Sequence, residues 1–292
     1  MLTTDRINAL DITIGVVGLG YVGLPTALGF HDAGFKVHGL DVSERVISEL
    51  QAGRNPGDDP TFDNNIPNDG RWFVTTDPKI AIPECDVILV TVPTPVLEDK
   101  RPDLRFIQAA GETIFNHIDR SKRPVIVLES TVYPGVTREI WSPLIESRGL
   151  IEGIDLDLAY CPERFVPGDP NHGVRQVPRV VGATDTHIVK ALAELYGHLT
   201  EGSVTPVSSI EVAEAAKVVE NVQIGLRNTT THGTGSSRST PRRRMCLGQY
   251  LDGGPAGEVS TRVQVRDSGR YGRRSAAQAI SAPFGVCGGA HQ

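Results

Sequence analysis

Short apolar runs alternate with longer amphipathic stretches along the first 226 residues of the chain. The apolar runs have the length of strands, and they lie at 12–17, 35–40, 86–92, 124–128, 156–160, 179–181 and 204–207. Stretches with a helical period lie between several of them, at 24–33, 104–118, 137–147 and about 185–199. Because strands that alternate with helices pair side by side in parallel, this order predicts an α/β fold with a doubly wound parallel sheet.

The pattern changes near the end of this region. Ser208 and Glu211 have the spacing of a capping box, which predicts a further helix that starts at 208, runs through 224 and ends near 226. Residues 227–292 then contain only eight Leu, Ile, Val or Phe. Such a segment buries too little apolar surface to offset its chain entropy, so we expect a disordered tail. The predicted organisation is a domain at 10–207, the start of a long central helix at 208–226 and a tail at 227–292.

Charge and composition narrow the classes of protein to consider. Residues 1–226 sum to −13, whereas residues 227–292 sum to +7 with ten Arg and no Lys. The Arg run at 242–244 is too short to indicate nucleic-acid binding. No apolar run approaches the ~20 residues of a membrane span and no secretory leader is recognisable, so we expect a cytoplasmic protein without a membrane partner. Four scattered cysteines without CxxC spacing argue against a metal site, and Cys85 and Cys161 are expected in the core.

A glycine-rich turn follows the first predicted strand. Gly18, Gly20 and Gly23 form a GxGxxG pattern that includes Tyr21 and Val22. The glycines allow a tight turn, a close approach of the backbone to a pyrophosphate, and close helix–strand packing. The helix that follows would point its N-terminus at the phosphate charge. The turn therefore predicts a Rossmann-like dinucleotide site in which these five residues contact the cofactor.

Two further residues bear on which dinucleotide binds. Asp41 ends the second predicted strand, 18 residues after Gly23. An acid at this position accepts hydrogen bonds from the adenosine ribose and repels a 2′-phosphate, so NAD is favoured over NADP. Arg45 leaves an alternative open, because it either receives such a phosphate or is a solvated residue in the first turn of a helix.

Five sequence blocks between 12 and 224 resemble those of the UDP-glucose/GDP-mannose dehydrogenase family. The blocks are Gly20-Tyr-Val-Gly-Leu-Pro25, Val92-Pro-Thr-Pro95, Glu129-Ser-Thr-Val-Tyr-Pro-Gly135, Cys161-Pro-Glu-Arg-Phe-Val-Pro-Gly-Asp169 and Glu214-Ala-Ala-Lys-Val-Val-Glu-Asn221. The resemblance implies that a nucleotide sugar is oxidised at C6 from alcohol to carboxylate, that two NAD are consumed, and that a cysteine carries the aldehyde as a thiohemiacetal and then a thioester. The family forms homodimers through the continued central helix, and the change of sequence after 226 leaves that dimer in question for this chain.

The resemblance assigns catalytic roles to four residues. Lys217 and Asn221 are four apart on the predicted helix and so share a face, where the family uses them on the oxygen at C6. Thr131 and Glu163 follow predicted strands, and in the family they orient the water that hydrolyses the thioester, with Thr131 also near the nicotinamide. The alternatives are solvated helix residues for the first pair and structural loop residues for the second.

The remaining site assignments concern cofactor and substrate contacts. Thr94, between two prolines, resembles a cofactor contact, or else it is a turn residue. Arg164 and Phe165 resemble the segment that meets the nucleotide sugar, or else they belong to a structural loop. Family members with a Pro-Glu-Arg-x-x-Pro-Gly block act mostly on UDP-N-acetylhexosamines, so a UDP-N-acetylated sugar is the expected substrate rather than UDP-glucose.

The family's second domain, with its nucleophilic cysteine, has no counterpart in the printed sequence. Neither Cys246 nor Cys287 lies in a matching motif. The Arg-rich tail resembles out-of-frame translation of a GC-rich gene; a natural basic tail is the alternative. Two other functions stay open, a β-hydroxyacid dehydrogenase, which also places Lys and Asn four apart, and a truncated module that binds NAD or a nucleotide sugar without catalysis.

Overall fold

The computed structural model describes residues 1–57, 66–98, 101–163 and 173–231, the last nine as backbone alone. These residues include eight strands, which are β1 (Thr13–Val17), β2 (Lys36–Leu40), β3 (Trp72–Thr75), β4 (Val87–Val90), β5 (Val125–Leu128), β6 (Asp157–Tyr160), β7 (Arg179–Ala183) and β8 (Val204–Pro206). The same described ranges include eight α-helices, which are α1 (Thr4–Asn8), α2 (Gly23–Asp32), α3 (Glu44–Gln51), α4 (Pro78–Ala81), α5 (Arg105–Phe115), α6 (Val136–Ser147), α7 (Thr186–Leu199) and α8 (Ile210–Thr231).

The strands form one sheet in the order β3-β2-β1-β4-β5-β6-β7-β8, with helices on both faces. Side chains of β4 alternate between the two layers: Val87 and Leu89 pack with α2 and α7, whereas Ile88 and Val90 pack with α5, α6 and α8. A strand that is buried on both faces needs this continuous apolar sequence. The chain order reverses at β1, where β2 and β3 lie to one side and β4 to the other. The predicted Rossmann-like, doubly wound architecture is confirmed.

One strand pairing differs from the parallel prediction. β7 runs antiparallel to β6, with Ala159 opposite Ala183, and β8 is then parallel to β7. Parallel pairing needs a crossover, usually a helix, whereas antiparallel neighbours need none. The 18 residues between β6 and β7 include four prolines, which disfavour a crossover helix.

Several boundaries also depart from the expected ones. The helix predicted from 208 begins at Ile210, and the hydroxyl of Ser209, not Ser208, accepts the hydrogen bond from the backbone N–H of Val212. The same helix ends at Thr231 rather than near 226, since a formed helix gains one backbone bond per added residue and no Gly or Pro lies between 226 and 232. The elements α1, α3, β3 and α4 have no counterpart in the sequence prediction.

The expected tail falls largely outside the described residues, from 232 onward, as do 58–65, 99–100 and 164–172. Its predicted disorder therefore stays a prediction, except that 227–231 belong to α8 and the prediction was wrong for those five residues.

Cys85 and Cys161 are buried, as expected. Within the described part of the chain, no helix is both long and apolar enough to cross a membrane.

Candidate functional site

The glycine loop between β1 and α2 has the geometry that a bound diphosphate requires. Gly18 has φ +93°, a backbone conformation that favours glycine, and a Cβ on Gly23 would lie 1.8 Å from the carbonyl oxygen of Gly18. A Cβ on Gly20 would meet no protein atom within 4 Å. The N-cap residue of α2 is Val22, which has no side-chain acceptor for the first N–H groups of the helix. The loop is therefore tight on its protein side and open on the side where phosphate oxygens would lie.

Asp41 lies at the end of β2, beside this loop. Its carboxylate accepts hydrogen bonds from the backbone N–H of Leu19 at 2.7 Å and of Ser43 at 2.8 Å. A carboxylate has about four acceptor sites, so its oxygens retain capacity for the ribose hydroxyls. Tyr21 and Arg45 line a cavity of about 190 Å³ together with Gly20. The structure thus brings the predicted cofactor residues of the glycine loop to one place, with Arg45 exposed at its side.

A line of hydrogen bonds joins the loops at the carboxyl ends of neighbouring strands. The hydroxyl of Thr91, after β4, donates to the carbonyl of Gly18 at 2.7 Å. Ser130, after β5, donates to the carbonyl of Val92 at 2.6 Å, and Tyr160 at the end of β6 donates to the carbonyl of Ser130 at 3.1 Å. These bonds fix the loops that carry Thr94, Thr131 and Glu163 against one another, at the sheet edge where open α/β proteins bind ligands.

Helix α8 meets this edge through Lys217. The ammonium group of Lys217 donates to the backbone carbonyl of Glu163 at 2.5 Å. The side chain of Glu163 is buried, whereas Thr131 and Asn221 are exposed. Asn221 lies one turn beyond Lys217 on the same helix face. The structure therefore brings Lys217 to the Glu163 loop and places Thr131 on the adjoining loop.

A buried polar cluster that the sequence did not predict lies beneath these loops. Arg179 is 1% exposed, Glu129 is 2% exposed, and their side chains form an ion pair at 3.5 Å. Tyr196 donates its hydroxyl proton to Glu129 at 2.5 Å, and its ring lies 5.1 Å from the guanidinium. Burial raises the pKa of Glu129, and burial together with nearby Glu129 raises the pKa of Cys161 to about 12. Cys161 is therefore a neutral core thiol rather than a nucleophile.

The sequence also did not predict the contacts of Glu214. Its buried carboxylate accepts hydrogen bonds from the backbone N–H groups of Gly135 and Thr137 at the start of α6. The sequence contained one signal for it, since Glu214 opens the block that ends at Asn221, but spacing alone gives no partner for a carboxylate. Arg164 and Phe165 lie outside the described residues.

A larger cavity, of about 400 Å³, lies at the opposite edge of the sheet. It is lined by Thr13 and Lys36 at the amino ends of β1 and β2, and by a mixture of acidic and basic side chains. The strand ends that carry the predicted site residues are on the other side of the sheet. Among the described residues, no group of three His, Cys, Asp or Glu is arranged to hold a metal ion.

Comparisons with known proteins agree with this geometry. The family model for the NAD binding domain of the UDP-glucose/GDP-mannose dehydrogenase family matches residues 12–200. Protein CapL of Staphylococcus aureus is 37% identical over 215 residues, 73% of this chain and 49% of CapL. UDP-N-acetyl-D-glucosamine 6-dehydrogenase of Pseudomonas aeruginosa is 37% identical over 216 residues, 73% of this chain and 50% of that protein.

Solved structures give the same result. The crystal structure of a ternary complex of GDP-mannose dehydrogenase from Pseudomonas aeruginosa matches with a TM-score of 0.69 at 29% identity, covering 75% of this chain and 51% of that one. The chain thus spans about half the length of the curated relatives it matches. The family match decides against the β-hydroxyacid dehydrogenase alternative. The chain belongs to the UDP-glucose/GDP-mannose dehydrogenase family and carries its NAD-binding domain.

Proposed function

We propose that the protein takes part in the NAD-dependent oxidation of the C6 alcohol of a UDP-N-acetylhexosamine, in the synthesis of a uronic acid for polysaccharides. The observation that carries the proposal is the hydrogen bond from Lys217 to the Glu163 loop. Hydrogen bonds between neighbouring loops connect this region of the sheet edge with the glycine turn. The named relatives support the sugar, since they include UDP-N-acetyl-D-glucosamine and UDP-N-acetyl-D-mannosamine dehydrogenases.

The residues of the chain have distinct roles in this proposal. Lys217 and Asn221 donate hydrogen bonds to the C6 oxygen, and Lys217 stabilises the charge that develops there when the hydroxyl loses its proton. Thr131 and Glu163 orient the water needed for the later hydrolysis. Bound NAD supplies the hydride acceptor. Arg164 and Phe165 meet the nucleotide sugar.

The cofactor contacts belong to the first half of the domain. The backbone of Gly18, Gly20 and Gly23 surrounds the diphosphate, with Tyr21, Val22 and Thr94 alongside, and the free space at Gly20 supports this placement. Asp41 selects NAD over NADP, because its carboxylate binds the ribose hydroxyls and repels a 2′-phosphate. Arg45 is exposed and lines the same cavity, and both of its alternatives, a phosphate contact and a solvated residue, stay predictions.

The proposal places the reaction in the cytoplasm. Cys85 and Cys161, the cysteines in the described residues, are free thiols, which suits a reducing compartment. The UDP-sugar is the expected partner. The chain spans about half the length of its relatives. The homodimer that the resemblance implies therefore stays a prediction for this chain.

The decisive experiment measures NADH formation with UDP-N-acetylglucosamine, UDP-N-acetylmannosamine and UDP-glucose. We expect NADH with an N-acetylated sugar, little with UDP-glucose, and a loss in Lys217→Met that Lys190→Met, an exposed lysine on α7, does not share. Calorimetry with NAD and NADP tests the cofactor preference separately. Tighter binding of NADP, or equal rates in the two lysine variants, would contradict the proposal.

A second function is a binding module without catalysis, and the half-length coverage of the relatives is the observation that favours it. The same assays separate the two functions. NAD binding without NADH from any of the three sugars supports the binding module. NADH formation that depends on Lys217 supports the dehydrogenase.

A further inference from the structure

Glu214 links the helix that carries Lys217 to the segment that follows Thr131. Its carboxylate accepts three hydrogen bonds, from the backbone N–H of Gly135 at 2.5 Å, from the backbone N–H of Thr137 at 3.0 Å and from the hydroxyl of Thr137 at 2.6 Å. Glu214 is 0% exposed, and Thr137 is also fully buried. The contact joins residues 77 positions apart in the chain.

This contact supplies a cap that α6 lacks locally. The N-cap of α6 is Gly135, which has no side chain, so the first N–H groups of the helix have no local side-chain partner there. A carboxylate at this position accepts those N–H groups and interacts favourably with the positive end of the helix dipole. Burial raises the pKa of Glu214, and the bonds from Thr137 and Gly135 oppose that rise. A buried carboxylate is costly unless it is fully paired, so three donors specify one arrangement of α8 on α6.

The position of Glu214 connects this arrangement to the proposed site. Glu214 and Lys217 are three residues apart on α8 and therefore neighbours on one helix face. Gly135, at the other end of the contact, is four residues after Thr131. One carboxylate thus fixes both segments that carry the proposed chemistry. We propose that Glu214 is a positioning residue that holds Lys217 in register with the Glu163 and Thr131 loops, an inference that rests on the proposed function.

A second tie between the same helices offers a matched control. Glu211, one turn before Glu214, pairs with Arg138 at 2.8 Å, and both side chains are about two-fifths exposed. An exposed ion pair contributes little to structure. Glu211→Gln therefore removes the same charge from the same helix without removing the buried contact.

The test measures the reactivity of Lys217 by trace acetylation with acetic anhydride followed by mass spectrometry, on the full chain. Lys122 is the internal reference, because its ammonium group also donates to a backbone carbonyl, that of Glu84 at 2.9 Å, at the opposite sheet edge. Global unfolding exposes both lysines, whereas loss of positioning exposes Lys217 alone. The variants are Glu214→Gln, Thr137→Val and Thr137→Ser, with Glu211→Gln as control.

We expect the ratio of Lys217 to Lys122 labelling to rise at least about tenfold in Glu214→Gln, because the loss of one hydrogen bond to a charged group corresponds to a factor of about ten or more. Thr137→Val, which changes no residue of α8, gives a smaller rise, and Thr137→Ser, which keeps the hydroxyl, restores the wild-type ratio. An unchanged ratio in both Glu214→Gln and Thr137→Val, or an equal rise in Glu211→Gln, overturns the inference. If Glu214→Gln does not fold, the comparison of Thr137→Val with Thr137→Ser decides.

This experiment is independent of turnover. Labelling needs neither NAD nor a sugar, so a chain that forms no NADH still tests the role of Glu214. Conversely, the wild-type chain could form NADH while Glu214→Gln leaves the labelling of Lys217 unchanged. That result would support the proposed function and contradict the role of Glu214.

Discussion

At the scale of single residues, the glycines of the turn differ in what requires them. Gly23 is required by the protein, because a Cβ would lie 1.8 Å from the carbonyl oxygen of Gly18. Gly20 has open space around its α-carbon, so only a ligand would require it. The same sequence motif therefore contains one residue needed for folding and one needed for binding.

This difference gives a prediction for two alanine variants. Gly20→Ala is expected to leave the free energy of unfolding within about 0.5 kcal/mol of wild type while it weakens NAD binding, because the methyl group occupies the space of the diphosphate. Gly23→Ala is expected to destabilise the fold by about 1–3 kcal/mol through overpacking. Thermal unfolding and calorimetry with NAD measure the two effects. Wild-type NAD affinity in Gly20→Ala would place the diphosphate elsewhere.

A second residue-scale prediction concerns acid stability. His31 on α2 lies 3.1 Å from a carboxylate oxygen of Asp69, and this hydrogen bond, with those from Arg71, lowers the pKa of Asp69 to about 2. The pKa of this aspartate in the unfolded chain is about 3.9. Between pH ~4 and 2 the unfolded state therefore binds more protons than the folded state, and the free energy of unfolding decreases as the pH is lowered. We expect Asp69→Asn to flatten the loss of stability between pH ~4 and 2. Denaturant unfolding across this range is the measurement; an unchanged pH slope contradicts it.

At the scale of elements, the placement of α8 depends on a close approach to β7. A Cβ on Gly182 would lie 2.1 Å from the carbonyl oxygen of Ser209, immediately before α8 begins. The helix therefore packs on the strand at a distance that only glycine allows. Since α8 carries both Lys217 and Asn221, this packing affects the site as well as the core.

The packing predicts opposite effects for two glycines. Gly182→Ala is expected to lower the free energy of unfolding by about 1–3 kcal/mol, and to raise Lys217 reactivity as α8 shifts. Gly197→Ala, inside α7 with no atom within 4 Å of its added Cβ, should stabilise the protein by about 0.5–1 kcal/mol. Chemical unfolding of both variants checks the signs. A neutral Gly182→Ala would show that α8 tolerates displacement from β7.

At the scale of the whole molecule, the described residues contain the groups proposed to bind NAD and to act on the C6 oxygen. The glycine turn, the loops after β4, β5 and β6, and Lys217 meet at one sheet edge. The described cysteines cannot act there, since burial raises the pKa of both Cys85 and Cys161 and keeps them as thiols. The second hydride leaves only after a nucleophile adds to the aldehyde carbon and makes it tetrahedral, and the sequence resemblance assigns this addition to a cysteine thiolate.

We therefore expect the printed chain to yield at most one NADH per sugar and no C6 carboxylate. NADH stoichiometry with product analysis by mass spectrometry is the measurement. Two NADH per sugar would contradict the prediction, and the double variant Cys246→Ser, Cys287→Ser would then test those thiols, which lie outside the described residues.

The tail gives a separate whole-molecule prediction. Residues 232–292 contain few apolar side chains, so hydrogen exchange should show no protected amides there. Removal of these residues should leave the melting temperature and NAD affinity unchanged. Slow exchange across the tail would instead indicate a folded segment.

The sequence by itself determined seven of the eight described strands, the glycine turn and the acid after β2. Each of these depends on residues within one strand, turn or helix, where periodicity and backbone sterics act locally. The five blocks also determined the family, because their order and residue types are specific. The edge strand β3 was missed because it has no continuous apolar run and buries only Val74, and α3 was missed because only Ile47 and Leu50 of its eight residues are buried.

Only the tertiary structure decided which distant groups meet. Glu129 with Tyr196 and Glu214 with Thr137 are pairs separated by 67 and 77 residues, and no local pattern couples them. The antiparallel direction of β7 was likewise set by its neighbours and not by its own five buried residues, Arg179 to Ala183, which suit either direction. Buried polar groups must find partners wherever the fold places them, and that requirement depends on the packing of all the elements together.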